Sequence, residues 1–415
     1  MREKALLITA ETVSRRKGRR EEYTADRPRE LRQLAESAGA VVAAERTVKL
    51  KEISPAHYIG TGKLAELSEL CRIEGIGLVI FNNDLSPAQQ QNLDDMLDAR
   101  TIDRTQLILD IFARRARSNE GKIQVELAQL LYMLPRLSGK GVALSRLGGG
   151  IGTRGPGEQK LEVDRRKIRD RISRLTKEQG QIASRRSENR KKRKDVALLS
   201  IAIVGYTNAG KSTLLNALTG ADVRAEDKLF CTLDPTTRTY TLPNNQKAVF
   251  SDTVGFLENL PHHLIDSFRA TLEEVVEADL LLHVVDISHP RAREQADAVY
   301  AVLGELGVGE KTVISVLNKT DKIAEGPELK RLAQEFREPV PVSALKGRGI
   351  DALIGAVVSK LAGLMKVVKL EVPQHDMKVI SFIHEHGNIL RKEYRGQHVY
   401  IEAEIPAKIS GKLGK

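Results

Sequence analysis

Leu198-Leu199-Ser200-Ile201-Ala202-Ile203-Val204-Gly205-Tyr206-Thr207-Asn208-Ala209-Gly210-Lys211-Ser212-Thr213 is an apolar run that breaks into a glycine-bounded turn and then opens a helical pattern. The turn from Gly205 to Ser212 fits GxxxxGK[ST], and the apolar strand before it and the helix after it are the setting a phosphate loop needs. The glycines let backbone N–H groups wrap phosphates, and the helix N-terminus that follows favours an anion. Lys211 reaches the terminal phosphates and Ser212 can ligate Mg2+. Tyr206, Thr207, Asn208, Ala209 and Thr213 complete the contact stretch.

Three further pieces follow in order. Asp252-Thr253-Val254-Gly255 ends an apolar strand, where the carboxylate can hold Mg2+ through water and the Gly255 N–H can meet a γ-phosphate. Asn318-Lys319-Thr320-Asp321 ends another, and the Asp321 carboxylate can accept two hydrogen bonds from the N1–H and exocyclic amine of guanine. Adenine offers neither, and a site that leaves a buried acceptor unpaired rejects the wrong base. Ser343-Ala344-Leu345 closes the base pocket. In this order the pieces point to a GTPase, hydrolysing GTP to GDP and phosphate, with Lys211, Thr232 and Gly255 as its catalytic candidates. Thr232 is chosen from Phe230-Cys231-Thr232-Leu233-Asp234-Pro235-Thr236-Thr237-Arg238 as the switch residue whose hydroxyl ligates Mg2+, with Thr236 and Thr237 expected to begin the next strand. In the translation-type GTPases that this order of motifs resembles, a water-positioning residue often follows DxxG; here it is Phe256, and a phenyl ring cannot orient water. Slow intrinsic turnover is therefore expected, with stabilisation from a backbone group, a monovalent cation or a partner. Resemblance to cation-dependent GTPases, which supply a ligand at this phosphate-loop position, makes Asn208 a candidate ligand for K+, although an asparagine in a tight turn also bonds its own backbone.

Around this centre lies a second α/β rhythm. Candidate strands are Leu198–Val204, Thr237–Thr241, Ala248–Thr253, Leu280–Asp286, Thr312–Asn318 and Val340–Ser343, with helices at Lys211–Leu218, His263–Val276, Ala292–Leu306, Pro327–Phe336 and Asp351–Ala362. Upstream, strands at Ala5–Thr9, Val41–Leu50 and Gly77–Phe81 alternate with helices at Glu30–Ala38, Lys63–Glu74 and Ser86–Leu97. Residues Gln106–Leu134 read as mainly helical up to Pro135. A glycine-rich loop, 147–157, precedes a charged helical-hairpin or coiled-coil arm in which Leu161, Ile168, Leu175 and Ile182 recur every seventh residue. The tail Arg190–Lys194 has no apolar face and reads as a linker. The last fifty residues read as a small β-containing unit, with Val368–Val372, Val379–Glu385, Ile389–Tyr394 and His398–Glu404 as its segments. The expected architecture is thus an α/β N-terminal domain (1–110), a helical arm with the glycine-rich loop (111–195), a P-loop GTPase domain (196–365) and a small α+β C-terminal domain (366–415).

A length of 415 residues, at roughly 100–200 residues per domain, agrees with several domains. With 41% hydrophobic and 29% charged residues the chain is globular rather than disordered. No stretch reaches the ~18 uninterrupted apolar residues of a membrane span, and no signal peptide is evident, so a cytoplasmic protein is expected. Cys71 and Cys231 are far apart and without metal-ligand spacing. Net charge is +11, and residues 139–195 hold 18 Lys+Arg against 7 Asp+Glu, so the whole excess sits there. Concentrated positive charge is the footprint of a phosphate-backbone contact, and the plainer alternative is a solvated helix face.

The chain resembles the HflX family of ribosome-associated GTPases, within the translation-factor-related P-loop class. The resemblance rests on Gly148-Gly149-Gly150-Ile151-Gly152-Thr153-Arg154-Gly155-Pro156-Gly157-Glu158-Gln159-Lys160-Leu161-Glu162 with Asp164-Arg165-Arg166 behind it. Tyr58-Ile59-Gly60-Thr61-Gly62-Lys63, Asp103-Arg104-Thr105 and Leu233-Asp234-Pro235-Thr236-Thr237-Arg238 add to it. It implies binding to the large ribosomal subunit and its RNA and, in bacteria, splitting or rescue of stalled ribosomes, with GTP favouring the bound state and hydrolysis favouring release. A monomer is expected, with Arg154, Arg165 and Arg166 at the RNA. The rival reading is a GTP-switched RNA-binding or RNA-remodelling factor that does not act on whole ribosomes. The glycine-rich loop has a second reading as a phosphate nest, and Gly60-Thr61-Gly62-Lys63 reads as a plain turn before a helix.

Overall fold

A computed structural model describes residues 3–12, 26–137, 156–195, 198–220, 229–230, 232–258, 269–323, 326–375 and 377–407. These fall into two compact units, the described residues up to Gly180 and those from Gln181 onward.

The first unit is built on four parallel strands, β1 (Lys4–Thr12), β2 (Val41–Leu50), β3 (Leu78–Phe81) and β4 (Arg100–Ile102), in the order β2-β1-β3-β4. Helices α1 (Asp26–Ser37), α2 (Thr61–Glu74) and α3 (Pro87–Leu97) supply the crossovers. α3 starts on a capping box, in which the Ser86 hydroxyl accepts from the Gln89 N–H and the Gln89 side chain accepts from the Ser86 N–H. The core joins Leu6, Ile8, Val79 and Phe81 of the sheet to Leu64, Leu67 and Leu93 of the helices.

The mainly helical segment 106–134 is two helices, α4 (Arg104–Arg115) and α5 (Asn119–Arg136). The break falls where the Ser118 hydroxyl accepts from the Gly121 N–H at 2.8 Å and so starts a new helix. Pro135 lies inside α5, in its last turn, and the helix continues past it to Arg136. The motif Asp103-Arg104-Thr105 ties this unit together. Asp103 caps α4 by accepting from the Gln106 N–H and pairs with Arg136 at 3.1 Å. Arg104 donates to Asn82 at 2.7 Å and the Thr105 hydroxyl to Asp84 at 2.7 Å.

The arm is one continuous helix, α6 (Pro156–Asp195), with no hairpin. Leu175 is fully buried within the first unit and Arg171 grips the Glu126 carboxylate of α5 with two hydrogen bonds of 2.7 and 2.8 Å. The tail Arg190–Lys194, expected as a linker, continues the helix. Arg and Lys are good helix formers, and cations in a last turn complement the partial negative charge of the helix end. Residues 147–155 of the glycine-rich loop, Arg154 among them, and Cys231 lie outside the described residues, while Pro156 and Gly157 of that loop open α6.

The second unit holds a six-stranded sheet of β5 (Leu199–Gly205), β6 (Thr236–Thr241), β7 (Lys247–Asp252), β8 (Leu280–Asp286), β9 (Val313–Asn318) and β10 (Pro339–Pro341), ordered β10-β9-β8-β5-β7-β6. All pairs are parallel except β6 with β7. β5 and β8 are almost wholly buried, which is why they read as unbroken apolar runs. Helices α7 (Lys211–Thr219), α8 (Arg269–Glu277), α9 (Ala292–Glu305), α10 (Pro327–Ala333) and α11 (Ile350–Ala362) intervene. Ile201, Ile203, Leu214, Phe250, Leu282, Val316 and Leu353 share one core.

A separate antiparallel sheet, ordered β11-β13-β12, follows: β11 (Met365–Pro373), β12 (Asn388–Arg395) and β13 (His398–Pro406). Between β11 and β12 stands α12 (Met377–His386), where the sequence reading placed an extended segment at Val379–Glu385. The β-branched residues there favour strands, but Val379, Ile380, Phe382 and Ile383 fall at helical spacings. Ile380 and Ile383 are buried in the core with Val399 and Ile401. Among the described residues no helix is long and apolar enough to cross a membrane.

Candidate nucleotide-binding site

The site lies at the carboxyl ends of β5, β7, β8 and β9, where parallel sheets present their loops to ligands. The loop after β5 turns on Asn208 (φ 60°) and Gly210 (φ 95°), both left-handed. A Cβ on Gly210 would stand 2.3 Å from Asn318 Nδ2, so conformation and space both demand glycine. Lys211, buried at the start of α7, donates from Nζ to the Gly205 and Tyr206 carbonyls at 3.2 and 2.9 Å. Tyr206 and Ala209 are buried, and Thr213 is half-buried on the first turn of α7.

Three oxygens converge beside it. Ser212 Oγ lies 2.9 Å from Thr232 Oγ1 and donates to Asp252 Oδ2 at 2.6 Å, and Thr232 Oγ1 donates to the same oxygen at 3.0 Å. Asp252 is fully buried, and its other oxygen, Oδ1, has no hydrogen-bond partner among the described residues. Burial pushes the Asp252 pKa up, against the pull of the Lys211 ammonium and the two hydroxyls. A buried carboxylate with one uncommitted oxygen, beside two hydroxyls, is a hard oxygen set that fits Mg2+. β6 begins at Thr236, which pairs with Asp252 across the sheet, so Thr236 and Thr237 both lie in a strand.

Val254 is buried, and the Thr253 hydroxyl donates to the Ile203 carbonyl at 2.8 Å. Gly255 leaves no room for a side chain, since a Cβ would meet Thr207 Cγ2 at 2.8 Å and Lys211 Nζ at 3.0 Å. Phe256 buries its ring, while its backbone stitches the two loops together. Its N–H donates to the Gly205 carbonyl at 3.1 Å, and its carbonyl accepts from the Thr207 N–H at 2.8 Å. That anchoring was not legible in the sequence, because it depends on backbone groups rather than side-chain type.

On the base side, Asn318 bridges two loops. Its Nδ2 donates to the Ala209 carbonyl at 2.8 Å and its Oδ1 accepts from the Ala344 N–H at 3.0 Å. Lys319 (φ 65°) donates from Nζ to the Asn208 carbonyl at 2.9 Å. Asp321 is exposed, and the buried Ser343 hydroxyl donates to its Oδ1 at 2.5 Å. This hydrogen bond holds the Asp321 carboxyl below the usual carboxylate range. The Leu345 side chain is 71% exposed and joins none of these contacts. Of the proposed RNA residues, Arg165 is half-buried and Arg166 exposed on α6.

Four family models match in sequence order. They are described as GTP-binding GTPase N-terminal (residues 25–113), GTP-binding GTPase middle region (115–193), 50S ribosome-binding GTPase (200–319) and HflX C-terminal domain (328–414). A GTPase HflX of Caldanaerobacter subterraneus subsp. tengcongensis is 47% identical over 92% of this chain and 88% of its own. A GTPase HflX of Escherichia coli K12 is 42% identical over 84% and 81%. Among solved structures, a complex titled SsGBP and GDP aligns over 86% of this chain and 98% of that one, with 26% identity and a TM-score of 0.49.

Proposed function

The chain belongs to the HflX family of GTPases, GTP-binding factors associated with the ribosome, and from that membership we propose that it binds the large ribosomal subunit and uses GTP to split or rescue stalled ribosomes. The observation that carries the nucleotide half is the convergence of Ser212, Thr232 and Asp252. In this reading Ser212 and Thr232 would hold Mg2+ directly and Asp252 through water. The ion, when bound, neutralises phosphate charge. Thr232, on a loop outside the regular elements, would hold the ion only with the triphosphate bound, so that hydrolysis would release the loop. Lys211 would turn from its two loop carbonyls to the β- and γ-phosphates, and the Gly255 N–H would meet the γ-phosphate. Asp321, steadied by Ser343, would read the guanine edge, with the Ala344 and Leu345 backbone beside the base. With the Phe256 ring buried, the attacking water would be positioned by backbone groups, by K+ at Asn208 or by the ribosome.

The ribosomal half rests on charge. All of the net +11 lies in residues 139–195, most of which fall in the GTPase middle region matched over 115–193. Arg154, Arg165 and Arg166 are the RNA contacts we propose, on a monomer in the cytoplasm. In the division into 1–110, 111–195, 196–365 and 366–415, the separate cores of the three sheets favour distinct first, third and fourth segments, whereas the boundary after 110 falls inside α4 (Arg104–Arg115). Sucrose-gradient sedimentation with ribosomes tests this reading. The full chain should travel with the large subunit in the presence of a non-hydrolysable GTP analogue and stay near the top with GDP. Binding to free structured RNA with no nucleotide-dependent co-sedimentation would favour the RNA-remodelling alternative.

A further inference from the structure

Asp286, at the end of β8, is a residue the nucleotide fingerprint does not include. We infer that it is a positioning residue for guanine-nucleotide binding, acting through Lys319 on the phosphate loop. The inference rests on the guanine-site reading above and extends it.

Asp286 Oδ2 lies 2.7 Å from Lys319 Nζ, with side-chain exposures of 15% and 19%. The carboxylate is itself held, because Oδ1 accepts from the Ser288 N–H at 3.1 Å and from the Ser288 hydroxyl at 2.5 Å. β8 and β9 lie in register with Asp286 opposite Asn318, and the Ile287 N–H donates to the Asn318 carbonyl at 3.1 Å. The strand end that carries the carboxylate is thus fixed to the strand end that carries the base-reading segment. Lys319 in turn donates to the Asn208 carbonyl, at the left-handed bend of the phosphate loop. Ser288, Asp286, Lys319 and Asn208 form one chain of charge-assisted hydrogen bonds from the β8 end to that bend. Lys has a flexible four-carbon stem and three donors, so one carbonyl alone does not fix it. A partly buried carboxylate on the other side does, and the stem is then laid between β9 and the loop that wraps the phosphates.

The test uses the full chain and fluorescent GDP and ADP, read by dissociation rate and equilibrium affinity. Asp286→Asn should release GDP roughly tenfold faster, with KM for GTP rising more than kcat falls. Lys319→Met should show a loss of similar or larger size. The double variant should be no worse than Lys319→Met within about twofold, because Asp286 acts only through that lysine. Ser288→Ala, which keeps the charge and removes its hydroxyl support, should show a smaller loss in the same direction. If Asp286→Asn does not fold, Ser288→Ala carries the cycle against Lys319→Met. Unchanged GDP release in these variants, or losses that multiply in the double variant, would overturn the inference. A wild-type chain that binds ADP as tightly as GDP would instead sink the guanine reading, and the wild-type measurement alone reveals it.

Discussion

Gly255 and His283 show how much a single position constrains this molecule. At Gly255 the space is closed by backbone as well as side chain, with Thr207 Cα 2.9 Å from where a Cβ would be. Gly255→Ala should therefore displace Lys211 or the loop and lower single-turnover GTP cleavage by about 100-fold, as misplacement of the order of 1 Å does. Far-UV circular dichroism should remain native. His283 is fully buried on β8, its ring edge-on to Tyr300 at 4.9 Å, opposite Ser315 of β9. Burial, and then the Lys211 charge, lower its pKa from 6.5 to about 3. The unfolded chain takes up a proton near pH 6.5 and the folded one does not. The stability this group contributes is whole above that pH and is lost as pH falls toward 3, at up to ~1.4 kcal/mol per pH unit. Urea unfolding at pH 7, 6 and 5 should show a shallower pH dependence in His283→Leu than in the wild type. At this scale the meeting of Ser212 and Thr232 with Asp252, and of Asp321 with Ser343, was legible in the sequence, because those side-chain types recur at fixed spacings at the ends of apolar strands. Asp286 and the Phe256 backbone were not, since an aspartate ending an apolar strand and a buried phenylalanine look like ordinary sheet residues. The Leu345 side chain illustrates the converse, a motif position that contributes its backbone or nothing.

Among the elements, β5, β8 and β9 could be read within a residue or two, because a parallel strand buried on both faces leaves an unbroken apolar run. β4, three residues opening on a charged Arg100, was not read as a strand. α12 was misread because its β-branched content masked a 3.6-residue spacing. The division of 104–136 turned on one serine whose hydroxyl caps a helix, a signal no hydrophobic pattern contains. The seven-residue recurrence along α6 proved uneven in use. Leu175 is fully buried, whereas Ile168, Ile172 and Ile182 are only half-buried. Leu175→Ala should accordingly destabilise the first unit by about 2–5 kcal/mol in urea unfolding. Breaking the Arg171–Glu126 pair, whose side chains are 46% and 42% exposed, should change it by less than about 1 kcal/mol.

For the whole molecule, the quantity of interest is where its charge resides. Outside residues 139–195 the chain is neutral by formal count, and most of the charged segment is one 40-residue helix, ~60 Å long at 1.5 Å per residue. Affinity for ribosomal RNA should fall by about 0.7–0.9 log units per log unit of salt for each phosphate contacted. Replacing Arg154 together with Gly155-Pro156-Gly157 should weaken subunit binding while leaving GDP affinity of the free protein nearly unchanged, as read by a salt titration of both. A helix so charged on an otherwise neutral body does more than attract. In the field of a polyanion such a helix would feel a torque, and turning before contact would raise the share of productive encounters. Salt would then slow arrival more than it hastens departure, and α6 would act on the ribosome first as a compass needle.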